Sequence, residues 1–260
     1  MTILNKIIEN KKKELNLLAG MTAVRDLENS RLFKRETISL SEFILDKTKT
    51  GIIAEFKRKS PSKGIINSSS SVEEVTSGYF RAGASGVSIL TDTQFFGGSN
   101  SDLLHAREKS LFPILRKDFI IDEYQVIESK SIGADAILLI AAALEKQIIV
   151  NLSQLARSLG LEVLLEIHEQ DELDKVNQYV NIIGVNNRNL KTFEVNTDIS
   201  DKIAEEIPHG FLKISESGIS SPQVIKRLRF AGYDGFLIGE KFMYTTDPVN
   251  AFSEFVKDLI

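Results

Sequence analysis

The sequence predicts an α/β protein of the (β/α)8 barrel class, a closed ring of eight parallel strands alternating with helices. Eight short apolar segments, rich in β-branched residues, recur at fairly even intervals along the 260 residues. The stretches between them carry apolar residues at helical spacing. Because the segments are apolar throughout, they are typical of parallel strands covered on both faces. The predicted strands are residues 51–56, 86–91, 112–116, 136–140, 162–167, 181–186, 211–215 and 235–238.

Glycine marks the ends of several predicted helices. The quartets that begin at Gly83, Gly133 and Gly232 each precede a predicted strand. Glycine adopts the left-handed conformation just past a helix end without a steric penalty, so each quartet indicates a helix end and a tight turn. The helical spacing itself is clearest at Val72, Val75, Tyr79 and Phe80; at Tyr124, Val126 and Ile127; at Ile148, Leu152, Leu155 and Leu159; and at Val224, Ile225 and Leu228.

An open, doubly wound sheet is the competing arrangement of alternating strands and helices. It is disfavoured because no Gly-x-Gly-x-x-Gly motif follows the first predicted strand. Eight strand and helix units within about 210 residues also suit a barrel better.

Residues 1–48 precede the barrel, which is assigned to residues 49–260. They are predicted to form an N-terminal helical extension that packs on the barrel through an apolar stripe. No linker composition separates the two parts, so residues 1–260 are predicted to form a single domain. The stripe consists of Leu4, Ile7, Ile8, Leu15 and Leu18.

Composition excludes several classes of protein. The formal net charge of -4 argues against a sequence-independent nucleic-acid binder, because such proteins present a basic surface to phosphates. The chain has no cysteine, which rules out disulfides, thiolate metal sites and a cysteine nucleophile. Charged residues interrupt the N-terminal segment, and no apolar run of about 18 residues occurs, so neither export nor membrane insertion is expected. We expect a cytoplasmic monomer with no nucleic-acid or membrane partner.

Polar residues gather where the predicted strands end. In a barrel of this type the carboxyl ends of the strands build the active site, so these residues are candidates for chemistry. Burying so many polar groups at one mouth without a function would cost stability. In chain order they are Glu55, Lys57, Asp92, Lys117, Asp118, Glu166, Asn186, Arg188, Ser215, Glu216 and Ser217.

The end of the first predicted strand places an acid beside a cation. If the backbone stays extended, the two-residue side-chain period puts Glu55 and Lys57 on one face, with their Cα atoms about 7 Å apart. The alternative is a strand that frays into a solvated basic loop, and this segment alone leaves both interpretations open.

The last two predicted strands end in small residues that suit an anion. The seventh is followed by Ser217 and Gly218, and the eighth by Gly239 and Glu240. The loops at these positions commonly cradle phosphate in such barrels, because exposed backbone amides can approach the anion closely. Gly218, Gly239 and Glu240 are therefore predicted to bind phosphate.

Two further features of the sequence concern binding. His105, His168 and His209 show no metal-ligand spacing, and no metal site is predicted. Residues 95–98, Phe-Phe-Gly-Gly, fit either an aromatic binding loop or a capped turn, and the sequence leaves both open.

Eight blocks of the sequence resemble the indole-3-glycerol-phosphate synthase family. They occur in the family's order, and the first block together with RKDF is highly specific. The resemblance implies a (β/α)8 barrel with a helical extension over the active-site end. It also implies ring closure of 1-(2-carboxyphenylamino)-1-deoxyribulose 5-phosphate, with release of CO₂ and water, in tryptophan biosynthesis and without a cofactor. The blocks are AEFKRKSPSKG (54–64), SILTDTQFFGGS (88–99), ILRKDFIIDEYQV (114–126), GADAILLI (133–140), LEVLLEIH (161–168), IIGVNNRNL (182–190), ISESGI (214–219) and FLIGEKFM (236–243).

The resemblance further implies roles for individual residues. Lys117 matches the family's general acid, and Lys57 matches a second lysine that contacts the substrate carboxylate. Glu166 matches the carboxylate assigned as the base, and Glu55 a supporting one. The positions that match substrate contacts are Ser60, Phe119, Asn186, Arg188, Glu216 and Ser217. The positions that match phosphate-binding turns are Gly218, Gly239 and Glu240.

Two rival functions share this fold. Phosphoribosylanthranilate isomerase uses a cysteine and an aspartate as its acid and base, and this chain has no cysteine. A non-catalytic barrel that binds a phosphorylated metabolite would not need two lysines and a glutamate in one mouth. Lys59 and Lys241 stand where the family has small residues, and Asn187 stands where serine is frequent, which affects local loop contacts rather than the chemistry.

Overall fold

The computed structural model describes residues 2–259 and contains a closed barrel of eight parallel strands. Each barrel strand pairs with its neighbours along the chain, and the last pairs with the first. The predicted (β/α)8 barrel is therefore confirmed. The barrel strands are β1 (Ile52–Phe56), β4 (Gly86–Leu90), β5 (Ile114–Lys117), β6 (Ala136–Ile140), β7 (Glu162–Ile167), β8 (Ile182–Asn186), β9 (Leu212–Glu216) and β10 (Gly235–Ile238). Strands β2 (Lys59–Ser60) and β3 (Gly64–Ile65) form a small antiparallel hairpin after β1.

Helices occupy most of the connections, and four of them coincide with the predicted helical segments, namely α4 (Val72–Arg81), α7 (Glu123–Ser131), α8 (Lys146–Ser158) and α10 (Pro222–Phe230). Gly83, Gly133 and Gly232 adopt φ angles of 102°, 91° and 92°, as expected for turns after helix ends. The helices are α1 (Ile3–Met21), α2 (Val24–Glu28), α3 (Leu40–Leu45), α4 (Val72–Arg81), α5 (Thr93–Phe96), α6 (Asn100–Glu108), α7 (Glu123–Ser131), α8 (Lys146–Ser158), α9 (Asp198–Ile203), α10 (Pro222–Phe230), α11 (Glu240–Met243) and α12 (Pro248–Lys257).

The connection between β7 and β8 departs from the predicted alternation. It contains a 3-10 helix (Gln170–Lys175) instead of an α-helix, and a second short 3-10 helix (Ala141–Ala143) follows β6. The segment between β7 and β8 is short and mostly polar. Val180 lies in the core just before β8, and Leu173 and Val176 pack against the core. These positions are too few for the stripe that stabilises an amphipathic α-helix.

The core has two layers, set by the alternation of side chains along each strand. Outward-facing residues pack against the surrounding helices, and a smaller inner layer fills the barrel. On β1, Ile53 belongs to the inner layer, so Glu55, two positions later, also faces inward at the carboxyl end. The inner layer includes Ile53, Leu115, Leu138, Leu164, Ile214 and Leu237.

The N-terminal extension contacts both ends of the barrel. Leu40 and Ile44 of α3 join the inner core and lie next to Gly86 and Gly235, the first residues of β4 and β10. Helix α1 instead lies across the carboxyl ends of the strands, where its residues line the main cavity. The predicted N-terminal helix is therefore present, with the active-site end beneath α1. Within residues 2–259, no helix has the length and apolar character needed to cross a bilayer.

Candidate active site

One cavity of about 600 Å³ opens at the carboxyl ends of the barrel strands. All the residues to which the resemblance assigns a role line it, and they come from strands along the whole barrel. These residues are Glu55, Lys57, Ser60, Lys117, Phe119, Glu166, Asn186, Arg188, Glu216, Ser217, Gly218, Gly239 and Glu240. Asp92 and Ser215, which were also candidates at strand ends, do not line it.

Strand register brings the charged side chains together. Glu166 on β7 lies level with Gly184 on β8, and Asn186 lies level with Glu216 on β9. Gly184 is required here, because a Cβ atom at this position would overlap the Glu216 carboxylate. Because Gly184 has no side chain, the carboxylates of Glu166 on β7 and Glu216 on β9 can both approach one cation on β5.

That cation is Lys117, which lies between two carboxylates. Its Nζ atom is 2.5 Å from Oε2 of Glu216 and 3.2 Å from Oε2 of Glu166. Burial lowers the pKa of Lys117, but the negative charges of Glu216, Glu166 and Glu55 outweigh that effect and raise it above its ordinary value. Lys117 is therefore held as an ammonium group on the cavity floor.

The two carboxylates beside Lys117 differ in their electrostatic state. Burial raises the pKa of Glu216 to about 7, with the charge of Glu166 adding to the effect and that of Lys117 opposing it. Burial also raises the pKa of Glu166, but Lys117, His168 and the Asn186 side chain outweigh it, so the net shift is downward. Oε1 of Glu216 has no hydrogen-bond partner within the part of the chain that the structure describes. One carboxylate is thus ionised, and the other changes charge near neutral pH.

A second acid and cation pair lies on β1. Nζ of Lys57 is 2.7 Å from Oε1 of Glu55, so the two side chains share a face as the extended interpretation predicted. Arg58 turns to the other side and binds both carboxylate oxygens of Asp102, at 2.6 and 2.9 Å. The alternative of a frayed, solvated basic loop is therefore wrong. A Cβ at Gly239 would lie 2.6 Å from Oε1 of Glu55, so this glycine gives the pair its room.

The rim of the cavity after β9 has the backbone shape that suits an anion. Ser217 and Gly218 follow β9 with φ angles of 66° and 76°, both left-handed. A non-glycine residue in that region is strained, and such strain concentrates at binding sites. Arg188 lies at the same rim, where its guanidinium is 3.2 Å from Oε2 of Glu240. The Glu240 carboxylate thus meets a cation here, which makes the rim less repulsive to a bound anion.

The cavity also has an apolar wall, and the sequence identified only part of it. The rings of Phe96 and Phe119 lie 5.9 Å apart. Phe96 belongs to α5, which is capped by Asp92 at its start and by left-handed Gly97 at its end. The capped turn is therefore confirmed, and it presents the Phe96 ring to the cavity, while a binding role for this ring stays a prediction. The helical stripe predicted that α1 packs on the barrel but gave no sign that Ile3, Leu4 and Ile7 line the cavity.

Three polar residues at strand ends have their side chains engaged elsewhere. The carboxylates of Asp92 and Asp118 lie 3.1 and 3.0 Å from Nζ of Lys11 on α1. Burial lowers the pKa of Lys11, but these two charges outweigh it and raise the pKa above its ordinary value. Ser215 faces outward, where its hydroxyl contacts Ser200 at 2.8 Å. Helical spacing places Lys11 on the predicted stripe, four residues after Ile7 and four before Leu15, but it does not indicate that this lysine meets Asp92 and Asp118.

The site offers no set of ligands for a metal ion. Within residues 2–259, no three histidine, aspartate or glutamate side chains are grouped so as to hold one. The cavity therefore presents paired charges, an anion-shaped rim and an apolar wall, a combination that suits a phosphorylated aromatic molecule.

Comparison with solved structures shows the fold. The structure is similar to tryptophan synthase subunit alpha from Legionella pneumophila, with a TM-score of 0.61 over 86% of this chain and 97% of that chain. The two sequences are 12% identical, so the likeness extends to the barrel fold alone.

Comparison of sequences shows the family. A family model described as indole-3-glycerol phosphate synthase matches residues 4–255. Proteins named indole-3-glycerol phosphate synthase include one from Bacteroides thetaiotaomicron that is 48% identical, with 98% of each chain covered. One from Polaromonas naphthalenivorans is 41% identical with 97% of each covered, and one from Thermoanaerobacter pseudethanolicus is 38% identical with 98% of each covered. The chain therefore belongs to the indole-3-glycerol phosphate synthase family.

Proposed function

We propose that this chain converts 1-(2-carboxyphenylamino)-1-deoxyribulose 5-phosphate into indole-3-glycerol phosphate, with release of CO₂ and water. The observation that carries the proposal is the position of Lys117 between Glu166 and Glu216, on the floor of a cavity that also holds Lys57 and Glu55. Two ammonium groups and three carboxylates in one space match the proton transfers and the charge changes that the reaction requires.

The shape of the cavity suggests how the substrate lies. We place its phosphate at the rim formed by Ser217, Gly218 and Gly239, where the backbone is left-handed or lacks side chains. The aromatic ring then lies against Phe96 and Phe119. Phosphate binding at a distance from the reacting carbons supplies binding energy that orients the ketone and the ring.

Ring closure forms a bond between an aromatic carbon and the ketone carbon. The π electrons of the carbonyl move to its oxygen, and we propose that Lys117 donates the proton that neutralises this oxygen. Its raised pKa keeps it protonated before the reaction. Glu216 lies 2.5 Å away with a pKa of about 7, so it can return a proton to the lysine near neutral pH.

Loss of CO₂ and water completes the reaction. We propose that Lys57 holds the substrate carboxylate until the bond between that carboxylate and the ring carbon breaks. CO₂ leaves, and the electron pair of the broken bond restores the aromaticity of the ring. The carboxylate of Glu166 stabilises the cationic iminium formed in between. In the last step a lysine protonates the departing hydroxyl, and Glu166 accepts the proton that leaves the new ring.

We also propose that residues 1–260 act as one domain and as a monomer. Side chains of α1 in the extension line the cavity together with barrel residues, so a separated barrel would lack part of its apolar wall. Arg35, also in the extension, binds Asp135 in the barrel at 2.6 Å. Size-exclusion chromatography with light scattering should give a mass near 29.0 kDa, and a mass of twice that value would contradict the monomer.

An indole fluorescence assay tests the function directly. The chain contains no tryptophan, so any indole emission that grows in a mixture of protein and substrate comes from product. We expect emission to rise in proportion to protein concentration at neutral pH. Substrate without protein serves as the control, and a flat trace with protein would reject the proposed reaction.

A further inference from the structure

His168 lies behind Glu166, on the side away from Lys117. The two oxygens of Glu166 have different neighbours, since Oε2 is 3.2 Å from Nζ of Lys117 and Oε1 is 3.4 Å from Nε2 of His168. The His168 side chain is 10% exposed, and that of Glu166 is 5% exposed. The imidazole therefore forms part of the wall that holds this carboxylate.

The other side of the imidazole faces a second, fixed carboxylate. Oε2 of Glu172 is 3.9 Å from Nδ1 of His168. The same oxygen accepts a hydrogen bond of 2.6 Å from the backbone N–H of His168 and a longer one from the N–H of Glu169. Glu172 is thus held by the 3-10 helix that it caps, and it fixes the backbone that carries the imidazole.

Both ring nitrogens of His168 are buried and make no hydrogen bond within residues 2–259. A buried polar atom without a partner costs free energy, so it needs an explanation when it occurs next to reactive groups. Nε2 is 3.4 Å from Oε1 of Glu166, so a small shift or rotation of the ring would let it donate a hydrogen bond to that oxygen. That bond would hold Oε1 and leave Oε2 directed at Lys117 and at the substrate.

We propose that His168 is a positioning residue that orients the Glu166 carboxylate through Nε2, while Glu172 orients the imidazole. This inference rests on the role proposed for Glu166 in the reaction. It extends that role to a residue that does not line the cavity. His168 acts on the substrate only through Glu166, so its removal should change turnover more than substrate binding.

Three substitutions test the kinetic part of the inference. His168→Leu removes both nitrogens, and we expect kcat to fall by roughly 10- to 100-fold with KM changed less than about threefold, as for a slightly misplaced group. His168→Gln keeps an N–H donor near the Nε2 position and should recover most of that loss. His209→Gln, at an exposed histidine, is the matched control and should leave kcat unchanged. Equal kcat for His168→Leu and the unmodified chain, or no recovery with glutamine, would overturn the inference.

A double substitution separates orientation from general loss of structure. In a Glu166→Gln background, His168→Leu should cause no further fall in kcat, because the carboxylate on which His168 acts is already gone. If the double substitution lowered kcat by the product of the two separate factors, His168 would act independently of Glu166, and the inference would be contradicted.

Nitrogen NMR provides a readout that does not depend on activity. The chain has three histidines, so ¹⁵N-imidazole signals can be assigned with His168→Gln and His209→Gln. We expect Glu166→Gln to shift the His168 signals and to leave those of His105 and His209 in place. An unmoved His168 signal overturns the inference. If the signal shifts but the unmodified chain forms no indole product, the contact between the residues is supported and the proposed reaction is rejected instead.

Discussion

Two clusters of buried charge lie side by side at the active-site end of the barrel, and they differ in how completely their charges are paired. They meet at consecutive residues, because Lys117 faces the cavity and Asp118 reaches back to α1. The anchor cluster consists of Lys11, Asp92, Arg116 and Asp118. The cavity cluster consists of Lys117, Glu166 and Glu216.

The carboxylate of Asp118 has partners on both oxygens. Oδ1 meets Lys11 at 3.0 Å, and Oδ2 accepts a 2.6 Å hydrogen bond from Thr91 and lies 3.2 Å from Arg116. Burial raises the pKa of Asp118, but Arg116 and Lys11 outweigh it and lower the pKa below its ordinary value. Glu216 is as deeply buried, yet one of its oxygens has no partner and its pKa is raised to about 7.

The difference separates a structural cluster from a reactive one. Oδ2 of Asp92 also lacks a hydrogen-bond partner among the described residues, but it lies 3.1 Å from the Lys11 ammonium, so its charge is balanced. Balanced charges stabilise the docked helix, whereas the unbalanced Oε1 of Glu216 leaves a proton that can move and an oxygen that a ligand can bind. Burial and charge are common to both clusters, so neither property alone identifies the site. The expected consequences of substitution differ accordingly.

Removal of the central cation should have the largest effect on turnover. We expect Lys117→Met to lower kcat by about 10² to 10⁴, the usual contribution of a general acid, while circular dichroism shows the fold unchanged. Lys12→Met, at an exposed lysine, is the control. A lower free energy of unfolding in urea with unchanged kcat would assign Lys117 to the structural class and remove the contrast between the clusters.

Removal of the cation in the anchor cluster should instead affect stability. Lys11→Met leaves Asp92 and part of Asp118 without a counter-charge, and we expect the free energy of unfolding in urea to fall by about 3 to 5 kcal/mol. Lys12→Met on the same helix should change it by less than about 0.5 kcal/mol. Equal effects of the two substitutions would show that the buried ion pairs do not hold α1 on the barrel.

The raised pKa of Glu216 predicts a pH dependence of stability. The pKa of Glu216 is about 7 in the folded chain, which is above its value in the unfolded chain. Its contribution to the free energy of unfolding is therefore complete below about pH 4.3 and is lost as the pH rises towards 7. Glutamine stays neutral throughout. Relative to the unmodified chain, Glu216→Gln should therefore gain stability between pH 5 and pH 8, by up to about 3 kcal/mol.

Urea unfolding at several pH values measures this gain. Glu254→Gln, at a mostly exposed side chain, should show no comparable trend and serves as the control. A difference between Glu216→Gln and the unmodified chain that is constant with pH would mean that Glu216 is fully paired, like Asp118.

The fold was largely predictable because its signals are local. Apolar β-branched segments, helical spacing and glycines after helix ends each depend on a few neighbouring residues, and the predicted strands lie within two residues of those observed. The missing α-helix between β7 and β8 shows the limit. In that segment, its short length and its polarity decide the structure, and the alternation of strands and helices elsewhere in the chain does not predict it.

The site was predictable where position along a strand determines direction. Glu55, Lys117 and Glu166 stand at strand ends, so their approach follows from the barrel. Lys11 and His168 could not be assigned in this way, because their roles depend on which distant carboxylate they meet. The periodicity of the sequence does not indicate which distant carboxylate each of these side chains contacts.

The smallest effect is expected at an exposed ion pair with good geometry. Nζ of Lys257 lies 2.6 Å from Oε1 of Glu254, about as close as Lys117 is to Glu216, but the two side chains are 67% and 58% exposed. Water screens both charges, so Lys257→Ala should change the free energy of unfolding by less than about 1 kcal/mol. A larger loss, measured in urea alongside Lys11→Met, would show that distance rather than burial and pairing sets the worth of an ion pair here. The contrast between the two buried clusters would then need another cause.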